Sequence, residues 1–153
     1  MRRAADPLTR AQHRKIGADL FNYTWSLLDR KDRTKEYDEE MVHAAHASRY
    51  HWGKAGTALN TSIGDWQISR VYAMLGRAEP ALHHARRALD VTRRHRFGRF
   101  YLAYAYEGLA RAASVAGDRR TRDRCVREAR RIGAHIRDRD GRRMLLEDLA
   151  SIG

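Results

Sequence analysis

The chain carries one cysteine, Cys125, among 153 residues. No internal disulfide can staple it, and a thiol kept reduced in a cytoplasm is the expected state. Its two prolines, Pro7 and Pro80, both sit where a helix would begin. β-branched residues are sparse and no segment alternates with a period of two, which argues against a sheet. No apolar run approaches the roughly 18–20 residues that cross a bilayer, so no membrane partner is expected. The opening segment, "MRRAADPLTRAQHRK", has charge but no apolar stretch and is not a secretory signal. Asp6 and Pro7 read instead as a helix start. Patterns of the G-x-S-x-G, P-loop, GxGxxG, CxxC and H-E-x-x-H types are all missing, so no catalytic residue can be named and enzyme activity is left open.

What is present fits one helical domain spanning 1–153. The length suffices for a real core, and 42 % apolar with 33 % charged residues suits a helix-rich protein. The formal net charge is +12, with a pI near 10.6. Such a balance raises nucleic acid as a partner. The basic residues are mostly Arg, however, and the densest stretch, "RRTRDRCVREARRIGAHIRDRDGRR", is interleaved or flanked by Asp118, Asp123, Glu128, Asp138 and Asp140. Pairs along a helix face are therefore expected. The stretch also lacks the aromatic platform of single-strand binders. A solvated basic surface is favoured over a nucleic-acid site, and acidic proteins or small anions would feel the same field.

Apolar periodicity and turn signals predict seven helices, at about 8–29, 36–54, 60–75, 79–95, 99–116, 119–136 and 140–151. Short linkers between them imply antiparallel hairpins. In "WQISRVYAMLGRAEPALHHARRALDV", Ile68, Ser69 and Tyr72 precede Leu75-Gly76, and Ala81, Ala85 and Ala88 follow at close-packing positions. Leu109, Ala110 and Ala113 before Gly117-Asp118, with Ala129 after, repeat the pattern more loosely. There Arg122 and Val126 stand where the earlier alanines belong. The two turn glycines lie 41 residues apart, against roughly 34 in the tetratricopeptide repeat.

Residues 63–91, and less closely 103–131, resemble a tetratricopeptide repeat (TPR). "HASRYHW" together with "WQISRVYAMLGR" is also similar to short TPR-like proteins of high-GC actinobacteria. The resemblance implies an all-α, TPR-like right-handed superhelix with a C-terminal capping helix at about 140–151. It implies no particular activity. In such arrays the first helix of each pair lines a concave groove. That mapping selects Ile63, Trp66, Arg70 and Met74 from the third helix, and Tyr104, Glu107, Arg111 and Ser114 from the fifth. Trp66, Arg70, Tyr104, Glu107 and Arg111 are the candidate ligand-binding residues. They would form a groove for a peptide, a protein partner or a small anionic ligand, with no cofactor. The competing reading has Arg70 and Glu107 paired across the two helices.

A second candidate lies in "MVHAAHASRYHW". At about 100° per residue, Met41, Ala44, Ala45, Ser48 and Trp52 share the packed face, while Glu39, Glu40, His43 and His46 face away and His51 sits at the border. Glu39, His43 and His46, with His51 joining from the border, are candidate ligands for a divalent transition metal in a small metal-dependent enzyme or metal-binding protein. The alternative is an exposed helix with Glu–His pairs. His83 and His84 are expected to flank the alanine stripe, and Cys125 to be buried. The C-terminal "MLLEDLASI" is either a cap or a homodimer contact.

Overall fold

A computed structural model describes residues 4–153. The first three residues of the opening segment lie outside the described residues. Among the described residues there are seven helices, α1 (Arg10–Leu28), α2 (Lys35–Ala55), α3 (Ala58–Met74), α4 (Ala78–His95), α5 (Arg99–Val115), α6 (Arg119–Gly133) and α7 (Arg139–Ala150). Among the described residues there is no strand, and no helix is long and apolar enough to cross a membrane.

Local chemistry sets the helix ends. Thr9 and Gln12 form a reciprocal capping box at α1, and Thr57 and Asn60 do the same at α3. Helix α1 therefore starts after Thr9, not at Asp6-Pro7, because Asp6 is occupied in accepting the Leu8 N–H. Thr34, Asp118 and Asp138 cap α2, α6 and α7. Two of the five acids expected to pair with arginine are thus helix caps. The other three do pair, as Arg122–Asp123, Arg131–Glu128 and Arg143–Asp140.

The turns after α3 and α5 share one geometry. Gly76 (φ +71°) and Gly117 (φ +75°) adopt the left-handed conformation. The N–H of Arg77 donates to the Tyr72 carbonyl, and that of Asp118 to the Ala113 carbonyl, each at 2.9 Å. This is the Schellman closure that glycine permits without a Cβ penalty.

The first three odd helices each pack most closely on the even helix that follows, α1 on α2, α3 on α4 and α5 on α6. The odd helices also touch in succession, α1 to α3, α3 to α5 and α5 to α7. Among the described residues no even helix packs on another even helix. Small side chains allow the hairpins to close. Ala81, Ala85 and Ala88 of α4 are fully buried, and Ser69 Oγ donates to the Ala81 carbonyl at 2.8 Å. On α6 the buried line is Cys125, Ala129 and Ile132, so Cys125 rather than Val126 takes the close-packed place beside Ala129. Burial pushes its thiol pKa up despite neighbouring Arg124.

Candidate functional site

The successive odd helices leave a groove of about 410 Å³ along their common face. Phe21 and Trp25 of α1, Ile63 and Trp66 of α3, Phe100, Tyr101 and Tyr104 of α5, and Met144 and Asp148 of α7 line it. Four of the aromatic rings form a continuous wall. Trp25 lies 5.6 Å from Trp66, Trp66 meets Tyr104 edge-on at 5.7 Å, and Tyr104 lies 5.0 Å from Phe100. These are the separations at which rings attract. Ser62 and Thr92 also border the groove, but their hydroxyls bond to each other at 2.8 Å.

An ion network positions the wall. Glu107 is 0 % exposed. Its Oε1 accepts from Arg70 Nη1 at 3.2 Å and from Arg111 Nε at 2.9 Å, while Oε2 accepts from Trp66 Nε1 at 3.1 Å. Arg70 Nη2 approaches Asp148 Oδ1 at 3.7 Å, and Tyr104 donates its hydroxyl to Asp148 Oδ2 at 2.8 Å. Arg111 also donates to the Asp148 carbonyl and to Ser151 Oγ, each at 2.9 Å. Burial, then the Asp148 hydrogen bond and the two carboxylate charges, raises the Tyr104 pKa far above a free phenol's. Tyr104 is thus a fixed donor.

Trp66 reaches Glu107 because Gly108 lies beneath it. A Cβ there would stand 2.7 Å from Trp66 Cδ1 and 3.1 Å from Nε1, closer than side chains pack. Gly17 serves Trp52 in the same way, with a built Cβ only 2.5 Å from its Cδ1. Trp52 then lies 5.1 Å from Phe21 of the groove.

The five groove residues expected from sequence do come together, in two roles. Trp66 and Tyr104 line the groove, whereas Arg70, Glu107 and Arg111 pair with one another beside it. Ile63 lines it as well. Met74 is exposed and does not line it, and Ser114 Oγ donates to the Gly153 carbonyl. Phe21, Trp25 and Asp148 were not among the candidates. The spacing of Phe21 and Trp25 at i, i+4 matches that of Trp66 and Arg70, and carried the missing signal.

No family model, curated protein or solved structure matches the chain.

The four metal candidates do not converge. Glu39 and His43 are exposed. His46 turns inward instead of facing solvent, and its Nε2 shares a hydrogen bond with Tyr72 Oη at 2.7 Å. His51 Nδ1 shares one with His13 Nδ1, also at 2.7 Å, 38 residues away in sequence. Among the described residues, no three His, Cys, Asp or Glu side chains are placed to hold a metal ion. Burial first, then the neighbouring histidine (His84 for His46, His13 for His51), lowers both pKa values below the usual 6.5.

Two further polar clusters knit these histidines to the fold. His13 Nε2 bonds Asp6 at 3.1 Å, and Lys54 completes the cluster. The Leu8 N–H, then Lys54 and His13, hold the Asp6 pKa at about 2. On the other side of α2, Asp65 is only 2 % exposed and accepts from Arg49 Nε at 3.2 Å and bonds His84 Nδ1 at 2.8 Å. Burial pushes its carboxyl up, but the His84 bond and the Arg49 and Arg87 charges outweigh burial and keep it below the ordinary range. His83 is exposed beside it, so the adjacent pair divides between the open surface and a half-buried ion pair.

Proposed function

We propose that the chain is a TPR-like binding module that holds a peptide side chain or a small ligand against the inner face of its odd-numbered helices. The observation that carries this reading is the groove of about 410 Å³ walled by Trp25, Trp66 and Tyr104, within the size range of small-molecule sites. The TPR-like arrangement is supported by the hairpin order, by the odd-to-odd helix contacts and by the same glycine closure at Gly76 and Gly117. In that arrangement Arg70, Glu107 and Arg111 hold the walls in register, and Trp66 and Tyr104 touch the ligand.

The test uses the uncharged fluorophore N-phenyl-α-naphthylamine. Saturable binding of one probe per chain is expected, with quenching or energy transfer from the groove tryptophans. Ile63→Trp fills the groove and should abolish binding while leaving the helical circular dichroism intact. Absence of saturable binding, or equal binding by the filled variant, refutes the reading.

A further inference from the structure

We infer that the groove selects a small, uncharged aromatic molecule bearing one hydrogen-bond donor. This rests on the binding-groove reading above and adds the chemical class of the ligand. The walls are almost wholly apolar, and Asp148 is the one charged residue among them. The charges behind the walls balance, with Arg70 and Arg111 against Glu107 and Asp148.

An anion entering the groove would meet Asp148 and would have to draw Arg70 away from Glu107, which has no access to water to replace it. A cation would meet a carboxylate whose charge Arg70, 3.7 Å away, already balances without hydrogen-bonding to it. Either charge would lose its hydration in an aromatic enclosure without a free counter-ion, which is unfavourable. A neutral ring loses nothing of this kind and gains edge and face contacts with Trp25, Trp66 and Tyr104.

The donor follows from the geometry of Asp148. Oδ2 accepts from Tyr104 at 2.8 Å, whereas Arg70 Nη2 stands 3.7 Å from Oδ1, beyond hydrogen-bond range. Oδ1 is therefore an acceptor with capacity to spare on an otherwise apolar wall. A hydroxyl or N–H on the ligand satisfies it, and a site built to take such a donor discriminates against an analogue that lacks one. The described ends of the chain are held elsewhere. Asp6 is tied to His13 and Lys54, and the Gly153 carbonyl accepts from Ser114 and Arg122.

Four probes on one skeleton test the inference at pH 7 by titration calorimetry: β-naphthol, β-methoxynaphthalene, β-naphthoate and β-naphthylmethylammonium. β-Naphthol should bind with one-to-one stoichiometry. β-Naphthoate and the ammonium should each bind about tenfold or more weakly. β-Methoxynaphthalene should bind several-fold more weakly than β-naphthol, and Asp148→Ala should erase that difference. Asp148→Asn keeps the side-chain shape but has a single acceptor oxygen, which the Tyr104 hydroxyl takes, so it should erase the difference as well. Tightest binding of the naphthoate would show that the arginines are available to ligand, and tightest binding of the ammonium would make Asp148 a counter-ion. Either result overturns the inference while the binding groove stands, as does equal binding of naphthol and its methyl ether. Failure of all four to bind, together with the fluorophore, removes the groove reading itself.

Discussion

Replacing Glu107 by Gln should destabilise the fold strongly, and the charge balance of its network sets the size. In the native chain Glu107 and Asp148 face Arg70 and Arg111. The substitution leaves two guanidiniums against one carboxylate, at a position with no exposure to water. Breaking a buried ion pair by removing one partner costs about 3–5 kcal/mol. Gln keeps one acceptor oxygen for Arg70, Arg111 or Trp66, so the lower end, about 3 kcal/mol, is expected. For a domain of this length each kcal/mol moves Tm by roughly 2–4 °C, which gives a drop of about 6–12 °C. Thermal melts by circular dichroism read it directly. Adding Arg70→Met restores one positive against one negative charge. The double variant should therefore be more stable than the two single effects summed, by about 1 kcal/mol or more. A drop below about 2 °C for Glu107→Gln, or strict additivity in the double variant, would refute the argument that charge balance holds the inner helices together.

Lowering the pH should weaken the fold through His46 and His51 before any carboxylate contributes. Both have folded pKa values below the ordinary 6.5, so the unfolded chain binds more protons and stability falls as pH drops through that value towards the lower folded ones. Urea midpoints should be flat from about pH 8 to 7.5 and decline towards pH 5, with a shallower decline in a His46→Gln/His51→Gln variant; an equal slope in both proteins would contradict the assignment. Gly108→Ala should separate binding from stability. The new Cβ, 2.7 Å from Trp66 Cδ1, displaces the indole; overpacking costs about 1–3 kcal/mol, and the gain in helix propensity offsets about 1 of it. A modest change in Tm with a clear loss of N-phenyl-α-naphthylamine affinity is expected, and unchanged affinity would show that Trp66 does not shape the groove.

The inner-helix positions were legible because the turn glycines fix the register. Counting back from Gly76 and Gly117 puts Trp66 and Glu107 on one face without any knowledge of tertiary contacts. Their partners were less legible. Asp148 reaches Tyr104 across 44 residues, and His51 meets His13 across 38. No helical periodicity relates such pairs. The face of His46 also misled, because a wheel assigns a direction but cannot show that Tyr72 of the next hairpin offers a hydroxyl there. The interleaved acids illustrate the same limit, since Asp118 and Asp138 look like arginine partners by spacing and serve as caps because each stands just before a helix.

One set of bonds answers two questions about the groove face of the odd helices, why the hairpins stay in register and why the groove keeps its shape. Glu107 ties α3 to α5 through Arg70 and fixes the edge of Trp66, while Asp148 ties α7 to α5 through Tyr104 and fixes that ring. The arginines neutralise the acids that hold the aromatic walls, which makes them positioning residues behind an apolar surface. Disturbing the network should then lower stability and affinity together, as with Glu107. Disturbing only the surface, as with Ile63→Trp, should lower affinity with little change in fold. A guanidinium that bound ligand directly would show the reverse order, with Arg70→Met removing affinity at once and Tm moving little.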